Sequence, residues 1–263
     1  MIILTAYGSF ADAFIAKYKA MVASSRELER NDYIQTISQS KVIIHNASTI
    51  KPSSLDTYIS NNFDSTRFII QSSEKINTSV HIIILSSMSI LDVKNSRLYA
   101  DVSEMTPYAY SKYLSETYSL KSELNHISCV RFSTIFYMNP EKDGLSKLIY
   151  DAVKTKHVTI YNNGEAHRDF IPLEIAVDYI QKISLNPLLE KTTYTLCSGV
   201  TTSFKEILDI LIEHIPELVV SNIDMDHMPS VLSKFHTDDI EKLGQINFVL
   251  KNYIVKYIHE LQQ

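Results

Sequence analysis

The chain has 263 residues, 45% of them hydrophobic, and a formal net charge of −5 from 25 Lys and Arg against 30 Asp and Glu. That length supports one large α/β domain, or a domain with a smaller lobe, around a sizeable core. The acidic balance and scattered basic residues argue against non-specific nucleic-acid binding, so an anionic ligand would need a few placed cations. No stretch approaches the roughly 20 apolar residues of a membrane span, and the chain enters a short strand pattern with no basic leader, which points to a cytoplasmic protein. Cys129 and Cys197 sit in apolar, strand-like segments and read as small buried hydrophobes rather than disulfide or zinc ligands.

In chain order, residues 2–15 read as strand, tight turn and helix, the place where a dinucleotide-binding fold carries its glycines. Ser9 is a candidate N-cap there, and Asp12 suits the positive end of the helix dipole. Residues 20–26 are a candidate second strand; one longer helix over 9–25 with a solvated Arg26 is the alternative. Residues 41–48 read as a buried strand, and 53–73 have helical periodicity. His45, at the end of that strand, is expected to be a hydrogen-bonded histidine without chemistry. Val80-His-Ile-Ile-Ile-Leu-Ser-Ser87 is an apolar run ending in hydroxyls, as a strand buried on both faces reads where it reaches the carboxyl edge of a parallel sheet. Ligands of open α/β sheets bind at that edge. Met105-Thr-Pro-Tyr-Ala-Tyr-Ser-Lys-Tyr-Leu-Ser-Glu116 then places Tyr108 and Lys112 one helical turn apart, with Pro107 suited to the first turn. An ammonium beside a phenol would lower its pKa from about 10 and make Tyr108 usable as a proton donor or acceptor near neutral pH. A surface helix with the Tyr leaning on the Lys stem is the plainer alternative. The strand-helix alternation implies a Rossmann-like, doubly wound parallel sheet.

A strand-edge Ser followed some twenty residues later by Tyr-x-x-x-Lys at a helix start resembles the short-chain dehydrogenase/reductase superfamily, and specifically its extended branch of nucleotide-sugar epimerases and dehydratases. The resemblance implies that Ser87, Tyr108 and Lys112 form a catalytic triad, with Lys112 also holding the nicotinamide ribose. It implies a cofactor turn over Ala6, Gly8, Ser9 and Phe10, with Ala47 passing the adenine side. Aligned on Thr5 and Phe10, the three family glycines fall on Ala6, Ser9 and Asp12, and Asp12 sets a carboxylate beside the expected pyrophosphate. No acid ends the second strand to read a free 2′-hydroxyl, whereas Arg26 suits a 2′-phosphate, which favours NADP over NAD. Only about twenty residues separate Ala20 from Lys41, roughly half the family's usual allowance, so the region of strands 2 and 3 is expected to be abridged. Asn62-Phe-Asp-Ser-Thr66 is similar to the family's Asn-x-x-Gly-Thr.

Further along, residues 126–134 read as a strand, 145–154 as a helix and 157–161 as a short strand. Where the family ends its strand in Arg-x-x-Asn, this chain has Thr134, a hydroxyl in place of the substrate-binding amide. Asn162-Asn-Gly-Glu-Ala-His-Arg-Asp-Phe170 looks like the segment whose Arg clamps the nucleotide diphosphate, which carries over to Arg168; a surface Arg168 paired with Asp169 is the alternative. The family's second phosphate-binding Arg is missing, with His227 as its replacement. Residues 1–134 are thus expected to form the dinucleotide-binding domain. Residues 135–263 would form a smaller, partly interleaved substrate lobe containing the 193–199 strand and helices over 203–214 and 238–243.

The resemblance implies an NAD(P)-dependent enzyme acting on a nucleotide-diphosphate sugar, working as a homodimer in the supply of surface-polysaccharide sugars. Dehydratases of the family carry Thr-Asp-Glu where this chain has Ser87-Met88-Ser89, which favours a 4-epimerase or 4-keto-sugar reductase. The rival is a non-catalytic, nucleotide-binding or scaffold member that has lost productive cofactor binding. Its support is Asp12, the abridged strands, Thr134 and the missing second Arg.

Overall fold

Short runs rich in Ile and Val pair as parallel strands because their side chains are apolar on both faces and need cover on both. In the computed structural model β1 (Ile2–Leu4), β2 (Met21–Val22), β3 (Val42–His45), β4 (His81–Ser87) and β5 (Ile127–Phe132) are such strands, and the sheet is completed by β9 (Thr192–Leu196) in the order β2-β1-β3-β4-β5-β9. Every pairing in it is parallel. The chain runs outward from β1 to β2 on one side and from β3 to β9 on the other, so the switch point lies at the carboxyl ends of β1 and β3, where a crevice forms. The structure describes residues 1–24, 27, 33–51, 53–92, 98–186, 191–225 and 237–263. Arg26 and His227 lie outside the described residues.

The chain divides into two units, Met1–Phe132 with Val177–Leu196, and Ser133–Ala176 with Cys197–Gln263. The first carries the six-stranded sheet with α1 (Ser9–Lys17), α2 (Tyr33–Ser38), α3 (Leu55–Tyr58), α4 (Ser65–Ile76), α5 (Pro107–Lys121) and most of α7 (Leu173–Leu185). Its core includes Ile43, Ile82 and Ile84 from the sheet with Ile69 and Ile70 from α4. Between α3 and α4 the helix widens into a π turn, Ile59–Asp64. Such a bulge spends an extra residue per turn and redirects side chains, often near functional sites. Here it turns Asn62 inward: the buried amide accepts from the Thr49 N–H at 2.6 Å and donates to Ser111 Oγ of α5 at 2.9 Å.

The second unit holds β6 (Thr134–Phe136), β8 (His167–Pro172) and β10 (Thr201–Ser203) in one sheet, and β7 (His157–Tyr161) with β11 (Val219–Ile223) in another. α6 (Gly144–Thr155), α8 (Phe204–His214) and α10 (Leu250–Gln262) cover a core built around Phe136, Ile149, Phe170, Leu211, Ile254 and Tyr257. α9 is Asp238–Leu243. Ser203 starts α8 in a capping box with Glu206, an arrangement in which each satisfies an N–H the helix would leave open.

Several elements differ from expectation. The single helix over 9–25 does not form: α1 stops at Lys17, and Met21–Val22 pairs with β1. β2 is only two residues long and is the edge of the sheet among the described residues, so the abridgement is real. The strand expected over 126–134 breaks at Phe132, and Thr134 opens β6, which pairs with β8 rather than extending β5. The strand near 193–199, expected in the substrate lobe, is β9 and lies beside β5. Both cysteines are buried thiols.

Candidate active site

The sheet delivers Ser87 to the last position of β4, and Thr106 delivers Tyr108 by capping α5: its side chain accepts from the Ala109 N–H at 3.2 Å, with Pro107 at the helix start. The Tyr108 ring packs edge-on against Tyr58 of α3, with centroids 5.9 Å apart. The ring is half-buried, and Ser87 and Ser48 of the loop after β3 both act on its hydroxyl so as to favour the phenolate. Ser89 sharpens this geometry. Its N–H at 3.2 Å and its hydroxyl at 2.9 Å both donate to Ser87 Oγ. A serine oxygen has two lone pairs, so with both engaged Ser87 has its own O–H left to donate.

Lys112 is buried one turn further along α5, and its Nζ donates to the Leu85 carbonyl of β4 at 2.8 Å. Burial brings its pKa down to about 8. The expected lowering of the Tyr108 pKa does not occur in this state. Burial raises it, Ser87 opposes the rise, Tyr58 adds to it and Ser48 opposes it, with no contribution from Lys112. The reason is geometric, since the ammonium is held by a main-chain carbonyl rather than by the phenol. His45 is buried at the end of β3, with Nδ1 2.8 Å from Thr5 Oγ1 and Nε2 3.3 Å from Ser65 Oγ. Burial, helped by Lys112, takes its pKa down to about 3, so it stays neutral.

The turn after β1 is closed by a side chain. Asn46 Oδ1 accepts from the Ala6 N–H at 3.0 Å and its Nδ2 donates to the Ala6 carbonyl at 2.9 Å, extending the β1–β3 pairing with an amide in place of a peptide. Ala6 therefore has no backbone donor to offer a ligand, contrary to its expected place in the cofactor turn. The N-cap of α1 is Gly8, not Ser9; Gly8 has φ 127° and ψ −177°, a region closed to side chains, and no side chain caps the helix. The first intrahelical bond is from the Asp12 N–H to the Gly8 carbonyl at 2.9 Å. That leaves the Ser9, Phe10 and Ala11 N–H groups at an uncapped, positive helix end beside the switch point. These residues fit a dinucleotide pyrophosphate. Asp12 is exposed, and it follows the three open N–H groups rather than lying among them.

Beneath the Ser87 strand end lies a network that motif reading passed over. Glu116 is fully buried four residues after Lys112; Oε2 accepts from Ser86 Oγ at 2.8 Å, and Oε1 accepts from the Tyr99 hydroxyl at 2.7 Å. Arg131 of β5 closes it, with Nε 3.0 Å from Oε1 and Nη2 in direct contact with the same oxygen, while its guanidinium lies over the Tyr99 ring at 5.2 Å. Burial and Glu116 push the pKa of the Tyr99 phenol well up, beyond titration in ordinary buffers. The network fixes α5 against β4 and β5, and thereby Tyr108 against Ser87. Its sequence signal was the 108, 112, 116 spacing, one residue per turn on one face.

In the second unit Thr134 is half-buried at the start of β6. Arg168 of β8 is half-buried, its Nη1 donates to the His167 carbonyl at 2.8 Å, and burial lowers its pKa from the ordinary value. Asp169 does a different task from pairing with Arg168. It is buried and accepts from the Ser198 N–H at 2.8 Å, Ser198 Oγ at 3.0 Å and the Gly199 N–H at 2.8 Å, pinning the loop after β9.

A parallel sheet with an open helix end at its switch point and a Ser–Tyr pair at the carboxyl edge defines a Rossmann-like dinucleotide fold with a hydroxyl-bearing site. Residues 20–186 match the NAD dependent epimerase/dehydratase family, and the chain belongs to that family. No curated protein matches it. Similar solved structures include MoeE5 in complex with UDP-glucuronic acid and NAD, at 16% identity over 98% of this chain and 97% of that one, with a TM-score of 0.81. The NAD dependent NDP-hexosamine 5,6-dehydratase TunA, involved in tunicamycin biosynthesis, is similar at 16% identity over 99% and 97%, TM-score 0.80. UDP-glucose 4-epimerase from the hyperthermophilic eubacterium Thermotoga maritima, with UDP-glucose, is similar at 16% identity over 100% of both chains, TM-score 0.78. At that identity the likeness establishes the fold.

Proposed function

We propose that the chain is an NAD(P)-dependent enzyme acting on a nucleotide-diphosphate sugar, as a 4-epimerase or 4-keto-sugar reductase serving surface-polysaccharide synthesis. The observation that carries this reading is the placement of Ser87 at the carboxyl end of β4, where it acts on the Tyr108 phenol of α5, with Lys112 anchored two residues back on the same strand. A bound nicotinamide supplies hydride exchange. Tyr108 moves the proton of the sugar hydroxyl as that carbon gains or loses hydride, and Ser87, held as a donor by Ser89, hydrogen-bonds the same oxygen. Gly8, Ser9 and Phe10 hold the pyrophosphate, Ala47 lines the adenine side and Lys112 reaches the ribose. Arg168 takes the diphosphate, with Thr134 and His227 as further substrate contacts. Met88 and Ser89 offer no acid and base for water elimination, which favours epimerase or reductase over dehydratase.

NADP is preferred through Arg26, and two copies pair through α4 and α5, whose Tyr113, Leu114 and Tyr118 are only half-buried. Light scattering at micromolar concentration showing a monomer would count against the pairing. The reading as a whole is tested by thermal shift with NAD, NADP and UDP-sugars on wild type and Tyr108→Phe. A ligand at about 100 times its Kd adds roughly 2.7 kcal/mol. Tyr108→Phe is expected to keep the dinucleotide shift and lose turnover. No shift with either dinucleotide overturns the reading. The second reading, a non-catalytic binding member, draws on the Asn46 amide engaging both backbone groups of Ala6. It predicts nucleotide-sugar shifts without any dinucleotide shift.

A further inference from the structure

A cavity of about 650 Å3 lies at the amino-terminal edge of the parallel sheet, the edge opposite the dinucleotide crevice. Ile2, Met21, Val42 and His81, the first residues of β1 to β4, line it. β4 has seven residues. At the usual rise its two ends are about 20 Å apart, so this cavity and the Ser87 end of the strand are separate places. The floor is apolar, and Met21 and Leu185 stand 39% and 66% exposed at its rim, large side chains left in water beside a concave surface.

The two lysines give the polar part a single sign, since burial takes the His81 pKa down to about 4 and leaves that ring neutral. Lys19, Lys41, His81 and His126 line the cavity, and no carboxylate does among the described residues, in a chain whose formal net charge is −5. His81 forms part of the wall rather than of the polar rim. Its side chain is 3% exposed, Nε2 is satisfied by Ser128 Oγ at 2.8 Å, and Nδ1 is buried without a hydrogen-bond partner. An orphaned buried ring nitrogen is costly, and this one has no surface open to the cavity. The His81 N–H also donates to the Lys41 carbonyl at 3.1 Å, so imidazole and lysine start from neighbouring backbone.

We propose that this cavity is a second ligand site that takes an amphipathic anion, its acid head meeting Lys19 and Lys41 and its hydrocarbon tail lying along Met21 and Leu185. The cavity falls within the size range of small-molecule sites, and a cationic rim around an apolar floor selects a chain with one acidic end. Neutral chains lack the head contact and short anions lack the buried area. The site is independent of the dinucleotide reading, and either can fail alone.

Calorimetric titration of the full chain with sodium decanoate, below its critical micelle concentration, tests the proposal, with decanol and acetate as controls. Decanoate is expected to bind saturably at one site, with acetate and decanol at least tenfold weaker. Lys19→Glu with Lys41→Glu, both exposed positions, should weaken decanoate at least tenfold while leaving the NAD and UDP-glucose thermal shifts as in wild type. Equal binding by wild type and the lysine variant overturns the proposal, as does non-saturable uptake, or stoichiometric displacement of decanoate by NAD with UDP-glucose.

Discussion

Replacing Lys112 by Met removes a buried charge while keeping most of the side chain's volume. In the folded protein burial holds the Lys112 pKa at about 8, down from the ordinary 10.5 of a lysine in water. A tenfold change in proton affinity corresponds to about 1.4 kcal/mol, so holding the ammonium in the fold costs about 3 kcal/mol. A lysine whose folded pKa is depressed carries that penalty in full below pH 8. Between pH 8 and 10.5 the folded state releases its proton before the unfolded state does, so the penalty is relieved as pH rises. The variant also loses the bond to the Leu85 carbonyl, worth about 1.5 to 3 kcal/mol for a charged donor. Lys112→Met is therefore expected to be as stable as wild type or up to about 2 kcal/mol more stable at pH 7. Its advantage should shrink steadily toward pH 10. Urea unfolding of both proteins at intervals from pH 7 to 10 measures this. Tyrosines such as Tyr18, raised to about 12, titrate in both proteins, so the difference isolates Lys112. The same variant should lose turnover, because the site keeps its charge at a cost in stability. A stability difference that does not change with pH would rule out the buried ammonium as its source.

The Glu116–Arg131 pair should be intolerant of single changes. Glu116→Leu is expected to destabilise by about 3 to 5 kcal/mol in denaturant unfolding, by stranding a buried guanidinium, and Glu116→Leu with Arg131→Met should recover much of the loss. Gly8→Ala places a side chain at φ 127°, which should cost about 1 to 3 kcal/mol and weaken any dinucleotide thermal shift. Asp12→Asn should tighten dinucleotide binding by only about 0.3 to 1 kcal/mol in calorimetry, since the carboxylate is exposed and lies beyond the open N–H groups. Ser89→Ala removes the hydroxyl donor and leaves only the residue-89 N–H on Ser87 Oγ, freeing one lone pair and holding Ser87 less firmly as a donor; the expected result is a lower kcat at unchanged KM, with Ser89→Thr restoring it.

Burial on both faces is written locally, in unbroken runs such as 80–85, and so is helix entry at Thr106-Pro107; the central strands and α5 followed from residues a few positions apart. The Tyr108–Lys112 spacing determined that both groups share a helix face, and the shortage of residues between Ala20 and Lys41 determined that the second strand would be cut down. Partner choice across long stretches of chain was not legible. Asn46 closing the Ala6 turn spans 40 residues and exists only because β1 and β3 are neighbours. Lys112 turning to the Leu85 carbonyl rather than to Tyr108 depends on how closely α5 packs on β4, and so does the direction of the Tyr108 pKa. Asp169 read as a partner for the adjacent Arg168, but once buried a carboxylate takes whatever donors the fold supplies, here the loop at Ser198 and Gly199. Local pattern decided which side chains are buried and which face they share. The tertiary structure decided which polar group each buried one must satisfy, because a hydrogen bond or ion pair in a low-dielectric interior goes to the nearest well-aligned partner, regardless of its distance along the chain.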